Sequence, residues 1–154
     1  MIYLDNSATT RPFDSVIKVM SDCMSEAYFN ASAAYKPAVD VDRAIRGCRK
    51  TIASQVGAQE DEVYFTSGGT ESDNLAILGI ASLLRKPQNF VCSVIEHPAV
   101  LETIRRVESM GHEVRLMPIN SNGIVDLAAC ETLFDENTAF FSCMQVSNET
   151  GAVQ

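Results

Sequence analysis

The chain has 154 residues, 46% of them apolar, enough for one compact domain with a buried core. Twelve Lys and Arg against 20 Asp and Glu give a net charge of −8, and an acidic surface disfavours nucleic acid and anionic membranes as partners. No run of about eighteen apolar residues is present, so no membrane span is expected; the opening MIYLDNSATT lacks the basic and apolar regions of a secretory leader, so a cytoplasmic location is expected.

In chain order, residues 13–26 place Val16, Val19, Met20 and Cys23 at helical spacing. Residues 37–56 do the same with Val41, Ile45, Cys48, Ile52 and Val56, and Gly57 reads as a helix stop. EVYFT at 62–66 reads as a first strand. A helical pattern at 71–86 is followed by a strand at 90–95 (FVCSVI), a helix at 98–110 and a strand at 113–118 (EVRLMP). A weaker helix at 126–134 precedes a last strand at 139–146 (AFFSCMQV). Strands separated by helices of this length favour βαβ units in a parallel sheet, so the class is α/β. The nearly continuous apolar character of VCSVI and AFFSCMQV suits strands covered on both faces. Cys23, Cys48, Cys92, Cys130 and Cys143 show no CxxC or Cys/His ligand spacing, so they read as free, mostly buried thiols and no metal site is expected.

In open parallel sheets, ligands sit beyond the carboxyl ends of the strands, which directs attention to the residues after each one. Ser67-Gly68-Gly69-Thr70 would turn bare backbone N–H groups, a helix dipole and two hydroxyls toward one point, which is a phosphate cradle. The same residues, with Glu71 and Asp73, also suit a plain helix N-terminus, and the spacing is not that of a nucleotide P-loop. His97 precedes Pro98, a good first-turn proline; its imidazole would stack on a flat ring and move protons, or simply cap the helix. Asn148 would donate to a ligand oxygen or order a turn before Gly151. His112, beside Gly111, reads as solvated. Together a phosphate cradle, a stackable imidazole and a carboxamide at strand ends describe a flat phosphorylated ligand such as pyridoxal phosphate.

The stretches YLDNSATT (3–10), FTSGGTESDNLAI (65–77), SVIEHPAV (93–100), NGIVDL (122–127) and QVSNETGAVQ (145–154) carry a resemblance. In family order and family-like spacing, the chain resembles the N-terminal part of the cysteine desulfurases, pyridoxal-phosphate enzymes of the class V aminotransferase group. The resemblance implies a three-layer α/β/α fold with a mostly parallel sheet, part of the large domain of a PLP-dependent transferase. It implies that residues 1–14 belong to a small domain bordering the active site, and 15–154 to an incomplete large domain. Gly69 and Thr70 look like the phosphate-binding pair. His97 looks like the ring-stacking and proton-moving histidine, and Asn148 like the asparagine near the phenolic oxygen and substrate. Asn6, Ser7 and Ala8 correspond to the segment beside the substrate pocket.

The implied reaction converts L-cysteine to L-alanine and leaves the sulfur on an enzyme cysteine as a persulfide. The implied partners are a second copy in a homodimer and a sulfur-acceptor scaffold protein of iron–sulfur cluster biogenesis. Two positions depart from the family pattern. Tyr35 stands where members usually carry histidine, and Ser147 replaces the first asparagine of a VNNE stretch. Such an enzyme also needs a lysine to hold the cofactor aldehyde and an acid beside the ring nitrogen. Lys18, Lys50 and Lys86 fall on or at the ends of predicted helices and Lys36 in a loop, so none follows a strand. In the family pattern the ring aspartate, the Ser-x-His-Lys lysine and the sulfur-accepting cysteine come after residue 154. The expectation is therefore an N-terminal portion, inactive by itself and prone to self-associate through its open sheet edge. A selenocysteine lyase, a small-substrate aminotransferase of the same family, and a stand-alone non-catalytic binding fragment are the competing readings.

Overall fold

The computed structural model describes residues 2–154, which fall into two units, one through Phe65 and one from Thr66 to Gln154. In the first unit, α1 spans Asp14–Glu26 and α2 spans Lys36–Val56. Pro37 sits in the first turn of α2, and Gly57 ends it with φ +70°, the left-handed conformation that glycine adopts without a Cβ penalty. Both helices fall where apolar spacing predicts them, but their stripes are open. No residue of α1 is buried, and Val19 and Met20 are 59% and 56% exposed. Of the predicted α2 stripe, Val41 and Ile45 are half-buried, while the fully covered positions are Ala38 and Ala53.

The expected strand at 62–66 is absent. Glu60–Glu62 forms a single 3-10 turn, and Val63 is extended without joining a ladder. A strand needs a backbone partner, and here the Val63 carbonyl accepts instead from Arg49 Nε at 3.2 Å. The Arg49 guanidinium lies 5.3 Å from the centre of the Phe65 ring, a cation–π contact that holds the same segment.

The second unit contains α3 (Gly69–Leu83), β1 (Asn89–Ser93), α4 (Pro98–Ser109), β2 (Glu113–Met117), a short α5 (Leu127–Cys130) and β3 (Thr138–Ser142). The three strands form one parallel sheet in the order β2-β1-β3. β1 is central and buried throughout. Its alternate side chains serve two cores, as the period of two requires. Phe90 and Cys92 pack with Ile77 and Ala81 of α3 and Ile104 and Val107 of α4. Val91 points to the other face, against Met117, Val125 and Cys130. Helices, sheet and the α5 segment thus make three layers. β2 and β3 are edges and only partly covered; Phe141 is 52% exposed beside an apolar cavity of about 300 Å³.

NGIVDL has a folding role. Asn120 Oδ1 accepts from Asn122 N and Ile124 N, Gly123 turns at φ +75°, and the Gln154 side chain closes on Val125 N and Gly123 O. His112 is not simply solvated: its Nδ1 accepts from Gln88 N, and its ring meets Phe90 edge-on at 5.3 Å.

The cysteines divide by burial. Cys92 and Cys130 are buried, Cys143 is half-buried, and Cys23 and Cys48 are exposed, which corrects the expectation that most are enclosed. Burial, then the nearby Glu96, pushes the Cys92 thiol up to about 12, and burial also raises Cys130 and Cys143. Because the thiolate is the reacting form, iodoacetamide at mildly alkaline pH is expected to label Cys23 and Cys48 rapidly and leave Cys92 and Cys130 intact until the chain unfolds. Mass mapping of the labelled peptides checks this, and early labelling of Cys92 would contradict it.

Arg115 fastens β2 to the loop before β3. It donates to both carboxylate oxygens of Glu113, to Asp135 Oδ2 at 2.8 Å and to the Leu133 carbonyl. The Arg115 hydrogen bonds hold the Glu113 and Asp135 carboxyls below their usual range. A depressed folded-state pKa stabilises the fold above the ordinary carboxylate range and ceases to do so as pH falls through the depressed value. Melting curves of the wild type and Arg115→Ala are therefore expected to differ most near neutrality and to converge in acid. A gap that widens on acidification would be the contrary result.

Candidate active site

Chain direction sets the geometry of the second unit. All three strands are parallel, so their carboxyl ends share one edge. His97 follows β1 there, and Asn148 follows β3. α3 is 15 residues long, about 22 Å. Its end at Leu83 joins β1 at Asn89 through a short link, and Ile77 and Ala81 pack on the sheet. The helix therefore runs back against β1, and its first turn emerges toward the same edge. The topology thus brings Thr70, His97 and Asn148 to one side of the sheet, although Thr70 does not follow a strand as the sequence suggested. Asn6, Ser7 and Ala8 form an exposed turn in the first unit, in which Ala8 N donates to Asp5 O at 3.2 Å.

At the start of α3, the Gly68 carbonyl accepts the first helical hydrogen bond, from Ser72 N. Among the described residues, the N–H groups of Gly68, Gly69 and Thr70 and the Thr70 hydroxyl have no protein acceptor. A Cβ placed at Gly68 or Gly69 would meet no atom within 4 Å, and Gly68 is extended at φ 166°, so neither packing nor backbone strain calls for glycine there. What the glycines leave is open space in front of unpaired donors at the positive end of a helix dipole, which suits a phosphate.

Ser67 behaves differently from the expectation. Its N–H and its hydroxyl both donate to Glu71 Oε2, at 2.6 and 2.7 Å. These bonds, the backbone one first, hold the exposed Glu71 carboxyl below its usual range. The Ser67 donors are thus engaged by an anion of the chain itself, and Glu71, expected as part of a helix N-terminus, braces the corner through them. Asn74 Nδ2 donates to the Thr70 carbonyl at 2.8 Å, and the Thr66 and Ser72 hydroxyls meet at 2.7 Å, so the first turn is braced around its open donors.

His97 is the N-cap of α4, with Pro98 in the first turn. Its Nδ1 accepts from Ala99 N at 3.1 Å, which assigns the proton to Nε2 and fixes the plane of the exposed ring. Capping and ring recognition are therefore compatible: one nitrogen orients the imidazole, and the face and the Nε2–H stay open. Asn148 is exposed on a turn held by Ser147. That serine is buried; its N–H donates to Ala152 O, and its Oγ accepts from Thr150 N. The departure at 147 thus anchors the turn that presents Asn148. Tyr35, the other departure, begins α2 and meets Phe29 edge-on at 6.1 Å, with Phe29 stacked on Tyr28. No cluster of three or more metal-ligating side chains occurs among the described residues, and no helix there is long and apolar enough to cross a membrane.

Residues 2–154 match the family model described as Aminotransferase class-V. The cysteine desulfurase IscS of Methanosarcina thermophila is 41% identical over 154 residues, covering 99% of this chain and 38% of that protein. A cysteine desulfurase of Nostoc sp. strain PCC 7120 is 37% identical over 155 residues, with the same coverage of 99% and 38%. Among solved structures, a NifS-like protein superposes with a TM-score of 0.94 at 34% identity, over 99% of this chain and 42% of that one. A structure described as SspA in complex with cysteine gives a TM-score of 0.88 at 36% identity, over 99% and 44%. The chain spans about two fifths of the length of the curated relatives it matches.

Proposed function

The chain belongs to the class-V aminotransferase family, and from that premise we propose that it forms the part of a PLP-dependent cysteine desulfurase that grips the cofactor's phosphate, ring face and phenolic oxygen. The observation that carries this reading is the set of unpaired donors at the start of α3, on the same sheet edge as His97 and Asn148. When bound, PLP supplies an electron sink for negative charge developing on the substrate amino acid.

The chain's own residues do the holding. The Gly69 and Thr70 N–H groups and the Thr70 hydroxyl donate to the phosphate, and the dipole of α3 favours its charge. His97, its plane fixed through Ala99, covers one face of the ring and holds or moves a proton at Nε2. Asn148 donates its carboxamide N–H to the phenolic oxygen or the substrate. Asn6, Ser7 and Ala8 belong to a small-domain segment spanning residues 1–14. Residues 15–154 belong to the large domain. In the whole protein, L-cysteine is converted to L-alanine and its sulfur passes to an enzyme cysteine as a persulfide, then to an acceptor scaffold for iron–sulfur cluster assembly. The assembly is a homodimer in the cytoplasm, and the lysine that holds the cofactor aldehyde comes from sequence other than these residues.

Pyridoxamine 5′-phosphate tests the reading, because it lacks an aldehyde and cannot label stray lysines. Titration of the chain, followed by the ligand's fluorescence, is expected to give saturable binding that inorganic phosphate displaces, with much weaker binding of unphosphorylated pyridoxamine. Equal affinity for the two pyridoxamines would refute a phosphate cradle.

A further inference from the structure

Past the ladder, the chains leaving β1 and β3 have little to hold them together. Their pairing ends at Cys92 and Ser142, and among the described residues no backbone hydrogen bond joins 93–97 to 143–148. One side chain does. Glu96 is 8% exposed, and its Oε1 accepts from Ser93 Oγ at 2.8 Å and from Met144 N at 2.5 Å. A buried carboxylate is retained only where donors compensate for its lost hydration, and here the donors come from the two exits themselves. Glu96 immediately precedes His97, and Met144 lies in the segment that leads to Asn148.

We propose that Glu96 is a positioning residue: it ties the His97 turn to the Asn148 turn, so that the group for the ring face and the group for the phenolic oxygen are set as one unit. Its functional consequence rests on the cofactor-binding reading above; its structural part does not. Among the described residues Glu96 makes no hydrogen bond to the α3 corner or to any donor proposed for the phosphate, so its effect should separate from phosphate binding. Ser93 orients the carboxylate from below, and the Met144 amide reads its position.

The test uses the 154-residue chain, Glu96→Ala and Glu96→Gln. In the unliganded chain, Glu96→Ala is expected to shift the NMR signals of the His97 imidazole and the Asn148 carboxamide together and to leave the Gly69 and Thr70 amides in place. Misplacement of supporting groups by a fraction of an ångström weakens a site substantially, so affinity for pyridoxamine 5′-phosphate should fall by about tenfold while that for inorganic phosphate stays within about twofold. Glu96→Gln keeps an acceptor oxygen and should restore most of the loss. Shifts confined to the His97 side, or equal losses for both ligands, would overturn the proposal. Should the unmodified chain bind neither ligand, the cofactor reading fails and the NMR signals alone decide the positioning role. Should Glu96→Ala not fold, hydrogen exchange of the Met144 amide in the unmodified chain decides: protection supports the tie, and exchange at the rate of an open amide overturns it.

Discussion

Phe90→Ala is expected to destabilise the second unit by about 3–5 kcal/mol, the cost of truncating a buried aromatic plus the cavity left behind. Phe90 is 0% exposed on the central strand and packs among Ile77, Ala81, Val100, Ile104 and Val107. Its ring also lies 5.7 Å from Phe140 and 5.3 Å from His112, contacts that alanine cannot replace. Against a typical domain stability of about 5–15 kcal/mol, the loss consumes a large share. Phe141 supplies the control. It is on the adjacent strand but 52% exposed, so Phe141→Ala should cost within about 1 kcal/mol. Urea unfolding of both variants measures the difference. Equal midpoints would mean that the α3–β1–α4 core does not carry the unit.

Thr70→Val is expected to weaken pyridoxamine 5′-phosphate by about 10- to 100-fold, since a hydrogen bond to a charged group contributes roughly 1.5–3 kcal/mol. Valine matches threonine in shape and keeps the backbone N–H, so only the hydroxyl is removed. Among the described residues that hydroxyl bonds to nothing in the protein, and folding should be little changed. Ser67→Ala makes the informative contrast. Ser67 already donates twice to Glu71, so its removal should loosen the corner without deleting a ligand donor, and affinity should fall less than for Thr70→Val. The opposite order would show that phosphate displaces Glu71 and takes over the Ser67 donors. Isothermal titration of both variants with the same ligand decides between them.

The features legible in the sequence are those that local chemistry determines. Gly57 stops α2, Pro98 opens α4 and His97 caps it because each effect acts within a few residues. The strands at 89–93, 113–117 and 138–142 were legible because apolar runs flanked by helical patterns leave few alternatives in an α/β chain. The segment 62–66 carries equal strand propensity and fails, because pairing is decided by a partner elsewhere in the chain, and Arg49 takes its carbonyl instead. The apolar stripe of α1 predicted the helix but not its cover: periodicity reports which face is apolar, not what lies against it.

The candidate site divides in the same way. Thr70, His97 and Asn148 stand out in the sequence because each is expected just beyond a strand, and for Thr70 that strand does not form. Glu71 had a weak signal, its four-residue spacing from Ser67 at a helix start, a relation close to a capping box. Glu96 is marked only by its place beside His97 after a strand; its link to Met144 has no signal, because it spans 48 positions of sequence and exists only after the strands have assembled. Ser147 looked like a loss relative to the family pattern, and its role became visible only through its burial and its bond to Thr150.

The strand order also governs how the chain matures as it leaves the ribosome. β1 is synthesised first but must end in the middle, flanked by Glu113 on one side and Thr138 on the other, so its hydrogen-bonding groups wait through α4 for a first neighbour and through α5 for the second. Parallel pairing of this kind closes long loops before it is rewarded, which slows folding. During that interval Phe90 can shelter against α3 and then α4, but Val91, which faces Met117, Val125 and Cys130, has no partner yet, which makes the nascent chain most vulnerable to misassociation just before residue 113 emerges.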